Sequence, residues 1–480
     1  MDFNFSLSRS TGPRIRNRGP LRLLVMGDFS GRAAAQRPAL AGRPTHLVDF
    51  DNLDEVLRRL APCAALDGDT LGFESLDDFH PDQLFARLPM FHALRALRQR
   101  LLDPAQFAQA AAELLRQPAP AASADPAQRA AAAPPRDNLL AQLLGGKPAG
   151  AGSVPGAPAA ATAVDALIRH FVMPHTVPDI AQKQATCLAA VDAALADAMR
   201  ALLHAPAFQA LESAWRGVQW LIASLELTPD LQLHLFDVTR DELLADVVAA
   251  QGQIDLTGLH QALVGRQQQP PGAAGWSALI GLYTFGPSDT DIGLLAALGV
   301  LAAQAGAPLL AGGGLSLASA EPGALATWQA LRRSEVARWI GLAAPRVLLR
   351  LPYGHGGDPI ERFKFDEFGA TPLHDGYLWG NGALACALLI GRSFTTHGWD
   401  FGPDDAHEIT GLPAYTVVRD GEPTLQPCAE QTLDDAAGQA LLTTGLMPLL
   451  SHRQRNAVTV LRLQSVAEPG CALAGFGASA

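Results

Sequence analysis

Between Gln117 and Thr162 the chain turns into an Ala/Pro/Gly-rich stretch, QPAPAASADPAQRAAAAPP and then GGKPAGAGSVPGAPAAATA, relieved only by a short apolar patch from Asn138 to Leu144. Proline and glycine deny such a stretch a stable helix, and it has no aromatic residues to bury, so it reads as a mobile linker. It limits what the rest can fold into: a small N-terminal part and a large C-terminal part must each find a core, or share one. No internal repeat is visible. The chain has 480 residues, 48% of them hydrophobic and 17% charged, which suits two or three domains and excludes general disorder. The formal net charge of −11 argues against a nucleic-acid binder that must cover phosphates with Lys and Arg. Cys63, Cys187, Cys386, Cys428 and Cys471 are odd in number and widely spaced, with no C-x-x-C. They form neither a disulfide framework nor a zinc ribbon and fit a reducing compartment.

The N-terminal part begins with a basic arm (Arg9, Arg14, Arg16, Arg18, Arg22) that lacks the apolar run of a secretory signal. Leu21 to Met26 then reads as a buried strand ending in a Gly-Asp-Phe-Ser-Gly turn, and Asp51-Asn-Leu-Asp-Glu-Val-Leu as a capped helix start. After SLDDFHPD (Ser75–Asp82), Leu84, Leu88, Phe91, Leu94, Leu97 and Leu101 recur at helical spacing, with Pro89 opening the longer of two helices. In the C-terminal part, helices are expected through Leu203 and from Pro206 to Leu225. Strands are expected at Leu231–Val238, Ser277–Phe285, Pro308–Ala311, Arg346–Tyr353, Ala414–Arg419, Leu446–Leu450 and Val458–Leu463. Helices at Ile292 onward (capped by Ser288), Leu325–Gly341 and Tyr377–Thr396 alternate with them, which makes the expected fold class α/β. Ile292 to Ala320 contains no charged residue, yet Gln304, Pro308 and Gly312 to Gly314 interrupt it. A buried helix followed by a buried strand is expected there, and no membrane insertion.

No catalytic motif emerges. Gly145-Gly-Lys147 is followed by Pro148 and cannot build a phosphate loop, Gly312–Gly314 lacks dinucleotide-binding spacing, and His407-Glu408 lacks the second histidine of a zinc helix. Two polar clusters invite a metal reading: Asp77, Asp78, His80 and Asp82, and the loop of His355, Asp358, Asp366, Glu367 and His374. Acidic residues before a helix more simply cap its free amides, and the second cluster reads as a solvated Gly-rich loop. No cofactor is expected. Trp215, Trp220, Trp276, Trp328, Trp339, Trp379 and Trp399 sit in apolar segments and are expected in cores or subunit interfaces.

Two blocks resemble two proteins of one machine. Leu21 to Leu102 resembles the small subunit (TssB) of the type VI secretion contractile sheath, through Met26-Gly-Asp-Phe-Ser-Gly31, Asp49-Phe-Asp-Asn-Leu-Asp-Glu-Val-Leu57 and Phe73-Glu-Ser-Leu-Asp-Asp-Phe-His-Pro-Asp82. Val164 to Ser465 is similar to the large subunit (TssC). The matching strings are Pro206-Ala-Phe-Gln-Ala-Leu-Glu-Ser-Ala-Trp-Arg-Gly217, Ala278-Leu-Ile-Gly281, Ala307-Pro-Leu-Leu310, Arg333-Ser-Glu-Val-Ala-Arg338, Gly341-Leu-Ala-Ala-Pro-Arg346, Arg350-Leu-Pro-Tyr-Gly354, Tyr377-Leu-Trp-Gly-Asn381 and Gly445-Leu-Met-Pro-Leu449.

The resemblance implies a non-enzymatic, cytoplasmic structural protein. Residues 1–104 would be a small-subunit segment, 105–163 a linker and 164–480 a large-subunit domain. The fold it implies is a small N-terminal part packed on a larger mixed α/β domain. Its motif residues Asp28, Phe29, Phe73, Asp77, Asp78, Phe79, His80, Trp215, Arg216, Arg338, Arg350, Tyr353, Trp379 and Asn381 are expected to form structural or interface contacts. Expected partners are other sheath subunits, the Hcp inner tube or the baseplate, and further copies of the chain. A linker of roughly forty residues reaches about 35 Å, enough for the halves to pair within one chain. The family's large subunit continues well past the Gly-x-x-Pro-Leu motif into strands exchanged between neighbours. This chain has Ser451-His-Arg-Gln-Arg-Asn456 after it and stops soon afterwards, which leads to the expectation of either a lattice subunit or a cap, initiator or regulator. The alternative is an enzyme of unassigned class using the His355–His374 loop.

Overall fold

The computed structural model describes residues 19–66, 69–116, 180–265, 275–319, 325–354, 357–368, 374–400, 407–419 and 422–476. The Gln117–Thr162 stretch, Arg9, Arg14, Arg16, Arg18, Gly145–Lys147 and His355 lie outside these residues. The strands in chain order are β1 (Leu21–Gly27), β2 (His46–Val48), β3 (Cys63–Leu66), β4 (Asp69–Gly72), β5 (Leu231–Asp237), β6 (Ala278–Phe285), β7 (Leu309–Gly313), β8 (Ile340–Ala344), β9 (Val347–Leu348), β10 (Trp379–Gly380), β11 (Glu408–Thr410), β12 (Thr416–Arg419), β13 (Glu422–Leu425), β14 (Leu446–Ser451) and β15 (Ala457–Val460). The chain divides into two compact units. One comprises residues 1–62, 210–351 and 377–480; the other comprises 63–209 and 352–376. Each unit therefore draws on sequence from both sides of the Ala/Pro-rich stretch.

The first unit is built on a sheet whose order, among the described residues, is β11-β15-β14-β8-β7-β6-β1-β5-β2. β5, β1, β6, β7, β8 and β14 run parallel; at the two ends β2 joins β5, β15 joins β14 and β11 joins β15, each antiparallel to its neighbour. β1 is central. It pairs with β5 from Leu21↔Leu231 to Gly27↔Asp237 on one side and with β6 from Leu23↔Ala278 to Met26↔Gly281 on the other. A strand buried on both faces needs a nearly continuous apolar run, which LRLLVMG supplies from Leu23 onward, with Arg22 near its start. Leu24 and Met26 join Phe236, Leu279, Leu309, Ala311 and Leu342 in a core with Leu294, Leu295, Leu298 and Leu301 of the Asp289–Ala305 helix. The Gly382–His397 helix packs on the sheet as well, against β1, β5, β6, β7 and β8. Leu21, Leu23, Leu24, Val25 and Met26 are all 0% exposed. At about 1.5–3 kcal/mol per buried side chain, β1 contributes on the order of 10 kcal/mol of gross apolar burial.

The α/β class holds, and the small N-terminal part packs on the larger domain by supplying a strand inside its sheet. The uncharged Ile292–Ala320 segment is the buried Asp289–Ala305 helix followed by β7, all of whose residues are buried. Among the described residues no helix is long and apolar enough to cross a membrane. Two spans differ from their expected form. The Leu325–Gly341 helix is instead a short helix (Ala326–Arg332), a 3-10 turn (Glu335–Trp339) and then β8. Ser334 ends the first piece by turning its hydroxyl back to Leu331 O at 2.6 Å. The strand expected at Arg346–Tyr353 shrinks to β9, because the apolar run Ile340–Ala344 takes its place in the sheet.

The second unit holds the β3–β4 hairpin and the helices Pro81–Arg87, His92–Leu102, Phe107–Arg116 and Ile180–Leu203. The His92–Leu102 helix lies against Ile180–Leu203, where Arg98 Nε meets Asp192 Oδ1 at 2.7 Å and Gln184 Nε2 donates to Leu101 O at 2.7 Å.

Candidate functional site

In a parallel sheet, ligands settle beyond the carboxyl ends of the strands, at the point where successive strands go to opposite sides. Here that point is the end of β1, since β5 and β6 flank it. It is filled by the chain's own charges. Beyond β1, Phe29 N and Ser30 N both donate to Asp237 Oδ1, at 2.8 and 3.0 Å. Arg37 reaches in from the following loop, with Nη2 2.6 Å from Asp28 Oδ1, and Nη1 3.2 Å from Asp237 Oδ1 and 3.5 Å from Glu242 Oε2. Arg43 donates to Asp237 O at 2.6 Å and to Glu242 Oε1 at 2.7 Å. Glu242 is held by a capping box with Thr239 at the start of its helix. From the other side, Trp215 Nε1 donates to Phe29 O at 2.9 Å while the two rings meet edge to face at 5.4 Å. Tyr283 OH donates to Val238 O at 2.8 Å.

These groups form one buried network, with the Arg37 side chain only 1% exposed. Burial works against its charge, but Asp237, Asp28 and Glu242 together outweigh it and raise its pKa. Burial likewise opposes the Glu242 carboxylate, and the hydrogen bonds from Arg43 and Thr239, with the charges of Arg43 and Arg37, overcome it and lower its pKa. Burial and the nearby carboxylates push the Tyr283 hydroxyl well above its ordinary value, so it stays a neutral donor. Chemically the arrangement locks residues 28–43 onto residues 215–283. It is a clasp, in which each charged group that could recognise a ligand already holds a neighbour.

Other motif residues of this unit line two helices. Arg350 Nε meets the fully buried Glu212 at 2.9 Å, and Arg216 Nε approaches the same carboxylate at 3.5 Å. Ser213 Oγ donates to Trp379 O at 2.9 Å. Asn381 caps the Gly382–His397 helix by accepting from Ala383 N at 2.9 Å and donates Nδ2 to Tyr283 O at 3.0 Å. Gly217 lets the Pro206–Ser224 and Gly382–His397 helices approach, since a Cβ there would lie 2.6 Å from Leu384 Cδ1. Arg338 stands apart, exposed on the Glu335–Trp339 turn.

In the second unit the rings of Phe73 and Phe79 stack at 4.1 Å, and Phe208 meets both edge-on at 6.0 and 5.7 Å. Asp77 opens the Leu76–Phe79 turn; Asp78 completes a capping box with Ser75 and pairs with Arg87 at 2.6 Å. His80 Nδ1 accepts from Asp82 N at 3.2 Å, and its ring meets Tyr353 edge-on at 5.1 Å. Asp82 accepts from Glu361 N and Arg362 N, both at 3.0 Å. Glu367 accepts from Tyr353 N at 2.8 Å and lies 3.3 Å from His204 Nε2. Asp78 and Asp82 of the first suspected cluster and Glu367 of the second thus hold main-chain amides, and among the described residues no group of His, Cys, Asp and Glu is arranged to hold a metal.

Sequence reading had found Asp28, Phe29 and Trp215 but missed Arg37, Arg43, Asp237 and Glu242, which join them. Only Glu242 left a signal, as the third residue after a Thr cap. The two arginines sit in an irregular loop, about two hundred residues from their partners.

Three matches accord with this arrangement. The family described as "VipB: EvpB/VC_A0108, tail sheath N-terminal domain" matches residues 185–322 and 317–467. The family described as "Type VI secretion system, VipA, VC_A0107 or Hcp2" matches residues 12–117. The type VI secretion system sheath protein TssC1 of Pseudomonas aeruginosa is 31% identical over 303 residues, which cover 59% of this chain and 61% of that protein. The chain thus spans less than two thirds of that relative's length. With both matches in one polypeptide, and a VipA-type strand central to the sheet of a VipB-type domain, the chain belongs to the type VI secretion tail-sheath family, as a fusion of its small- and large-subunit types.

Proposed function

We propose that the chain is a non-enzymatic structural component of a type VI secretion contractile sheath, in which residues 1–104 act as the small subunit, 105–163 as the linker and 164–480 as the large subunit. The observation that carries this reading is the position of β1 between β5 and β6, sealed by the Asp28–Arg37–Asp237 clasp. A sheath subunit transmits force without transforming a reactant, and a continuous parallel sheet locked by buried ion pairs suits that task. The enzyme alternative draws no support from the geometry, in which Glu367 of its loop holds the Tyr353 amide. Cytoplasmic assembly with other sheath subunits follows from this reading, with the Hcp tube or baseplate as further contacts. Electron microscopy of the purified chain, alone and mixed with separate small and large sheath subunits, tests it. Long tubes containing the chain identify a lattice subunit, and particles at tube ends identify a cap, initiator or regulator. Failure to associate with sheath subunits in any form refutes the reading.

A further inference from the structure

The two ends of the first unit's sheet carry free charges of opposite sign. At one end the turn after β2 is firmly held: Asp49 Oδ1 accepts from Asp51 N and Asn52 N, and Asn52 Oδ1 from Asp49 N, all at 3.0 Å. It displays the Phe50 ring, 83% exposed, together with the exposed Asp51 and Asp54. Among the described residues that ring meets no other, and neither carboxylate has a hydrogen-bond or ion-pair partner.

At the other end the chain turns from β14 to β15 through Ser451–Asn456. Most of this tip is committed. Ser451 Oγ accepts from Cys428 N at 2.9 Å, and His452 Nε2 lies 2.9 Å from Thr459 Oγ1. Arg455 Nη1 meets Glu408 Oε1 at 2.8 Å, and Asn456 Nδ2 donates to Leu412 O at 3.1 Å. Arg453 is exposed, and among the described residues its guanidinium holds nothing. A fixed tip that presents an uncommitted guanidinium has a definite complement, because that group bonds carboxylates and stacks on aromatic faces. The Phe50 turn offers both.

Register places the two features. β2 is antiparallel to β5, and Val48 opposite Leu233 puts the acidic turn where the parallel strands begin. β14 runs parallel to β8 and ends at Ser451, so the basic tip lies where those strands end. Seven strand steps, about 34 Å, separate β2 from β15 in the sheet. Diagonal corners of one sheet do not meet in the same copy, but the tip of one copy can meet the turn of the next, head to tail.

We propose that the chain binds a second copy of itself through these corners, with Arg453 of one copy over the Phe50 ring of the next and paired with its Asp51 and Asp54. Side chains make the contact, and no strand is exchanged. At a net charge of −11 two copies repel over most of their surfaces, so this pairing selects which faces meet. The contact goes beyond the sheath reading: a chain that binds separate sheath subunits yet never itself refutes the contact alone.

Sedimentation velocity of the purified full chain over a concentration series tests it. Larger species are expected at low salt, and their association is expected to weaken about tenfold or more near 1 M salt, where the screening length is about 3 Å. Arg453→Asp, and separately Asp51→Arg with Asp54→Arg, should each weaken self-association about tenfold or more, because like charges then face each other. An equimolar mixture of the two variants should recover it, since tip and turn are complementary again at every junction; recovery also shows that both variants are folded. A chain that stays single at every concentration, self-association that salt or either reversal leaves unchanged, or a mixture that stays dissociated overturns the proposal.

Discussion

Replacing Arg37 with methionine keeps most of the side chain's volume and removes the charge that holds three carboxylates. The structure says which of them matter. Asp28 is 42% exposed, so its pair with Arg37 is worth no more than about 1 kcal/mol. Asp237 is 11% exposed and loses its arginine, whereas Glu242 keeps Arg43 at 2.7 Å; removing one partner from a buried pair costs about 3–5 kcal/mol, because the remaining Asp237 charge is stranded. Arg37→Met is therefore expected to destabilise the first unit by about 3–4 kcal/mol, a large share of the ~5–15 kcal/mol of a typical domain. Urea unfolding followed by tryptophan fluorescence reads this, since Trp215 packs on Phe29 beside the network. Adding Asp237→Asn should restore roughly half of the loss, because the amide oxygen can still accept from Phe29 N and Ser30 N while the stranded charge disappears. Adding Asp28→Asn should restore little. A loss below about 1 kcal/mol for Arg37→Met, or strict additivity with Asp237→Asn, would refute the clasp as the seal of β1.

Four further outcomes are expected. Burial first, and the charge of Arg22 second, lower the pKa of His234 to about 4, so its neutral form contributes stability that is complete above pH 6.5 and is lost as pH falls toward 4. The whole effect is ~3 kcal/mol, and the difference between the native chain and His234→Gln in urea midpoint across that window measures it; parallel curves would contradict it. Gly217→Val should cost about 1–3 kcal/mol by pushing on Leu384, read by thermal melting, and a neutral result would mean that the helices separate freely. Asp82→Ala leaves Glu361 N and Arg362 N without their acceptor and should raise proteolysis and hydrogen exchange at residues 357–368, with Asp82→Asn milder. Residues 1–117 and 163–480 produced as separate polypeptides should co-elute in size exclusion, and separate elution would show that β1 does not hold the pieces together.

How far the fold could be read in advance follows from how local each cause is. LRLLVMG announced a buried strand because it is apolar at every position but Arg22, and Ser288 marked its helix because a cap acts within three residues. That β1 would enter between β5 and β6 was not legible, since the choice depends on partners more than two hundred residues away and on register. The clasp was half visible for the same reason. Asp28 and Phe29 stand in a recognisable string, whereas Arg37 and Arg43 gain meaning only when folding brings Asp237 and Glu242 to them. At Trp339–Ala344 the apolar run suits helix and strand alike, and sheet pairing with β7 and β14 decided for strand.

The place of β1 also sets a timetable. Its second neighbour is complete only once Gly281 has been made, about 250 residues after β1 itself. At ~5–20 residues per second, the nascent LRLLVMG segment stays without its flanks for roughly 13–50 seconds. Two independently translated subunits would meet with both sequences finished. Joined in this order, the single chain carries the apolar β1 segment ahead of its second flank through part of its own synthesis.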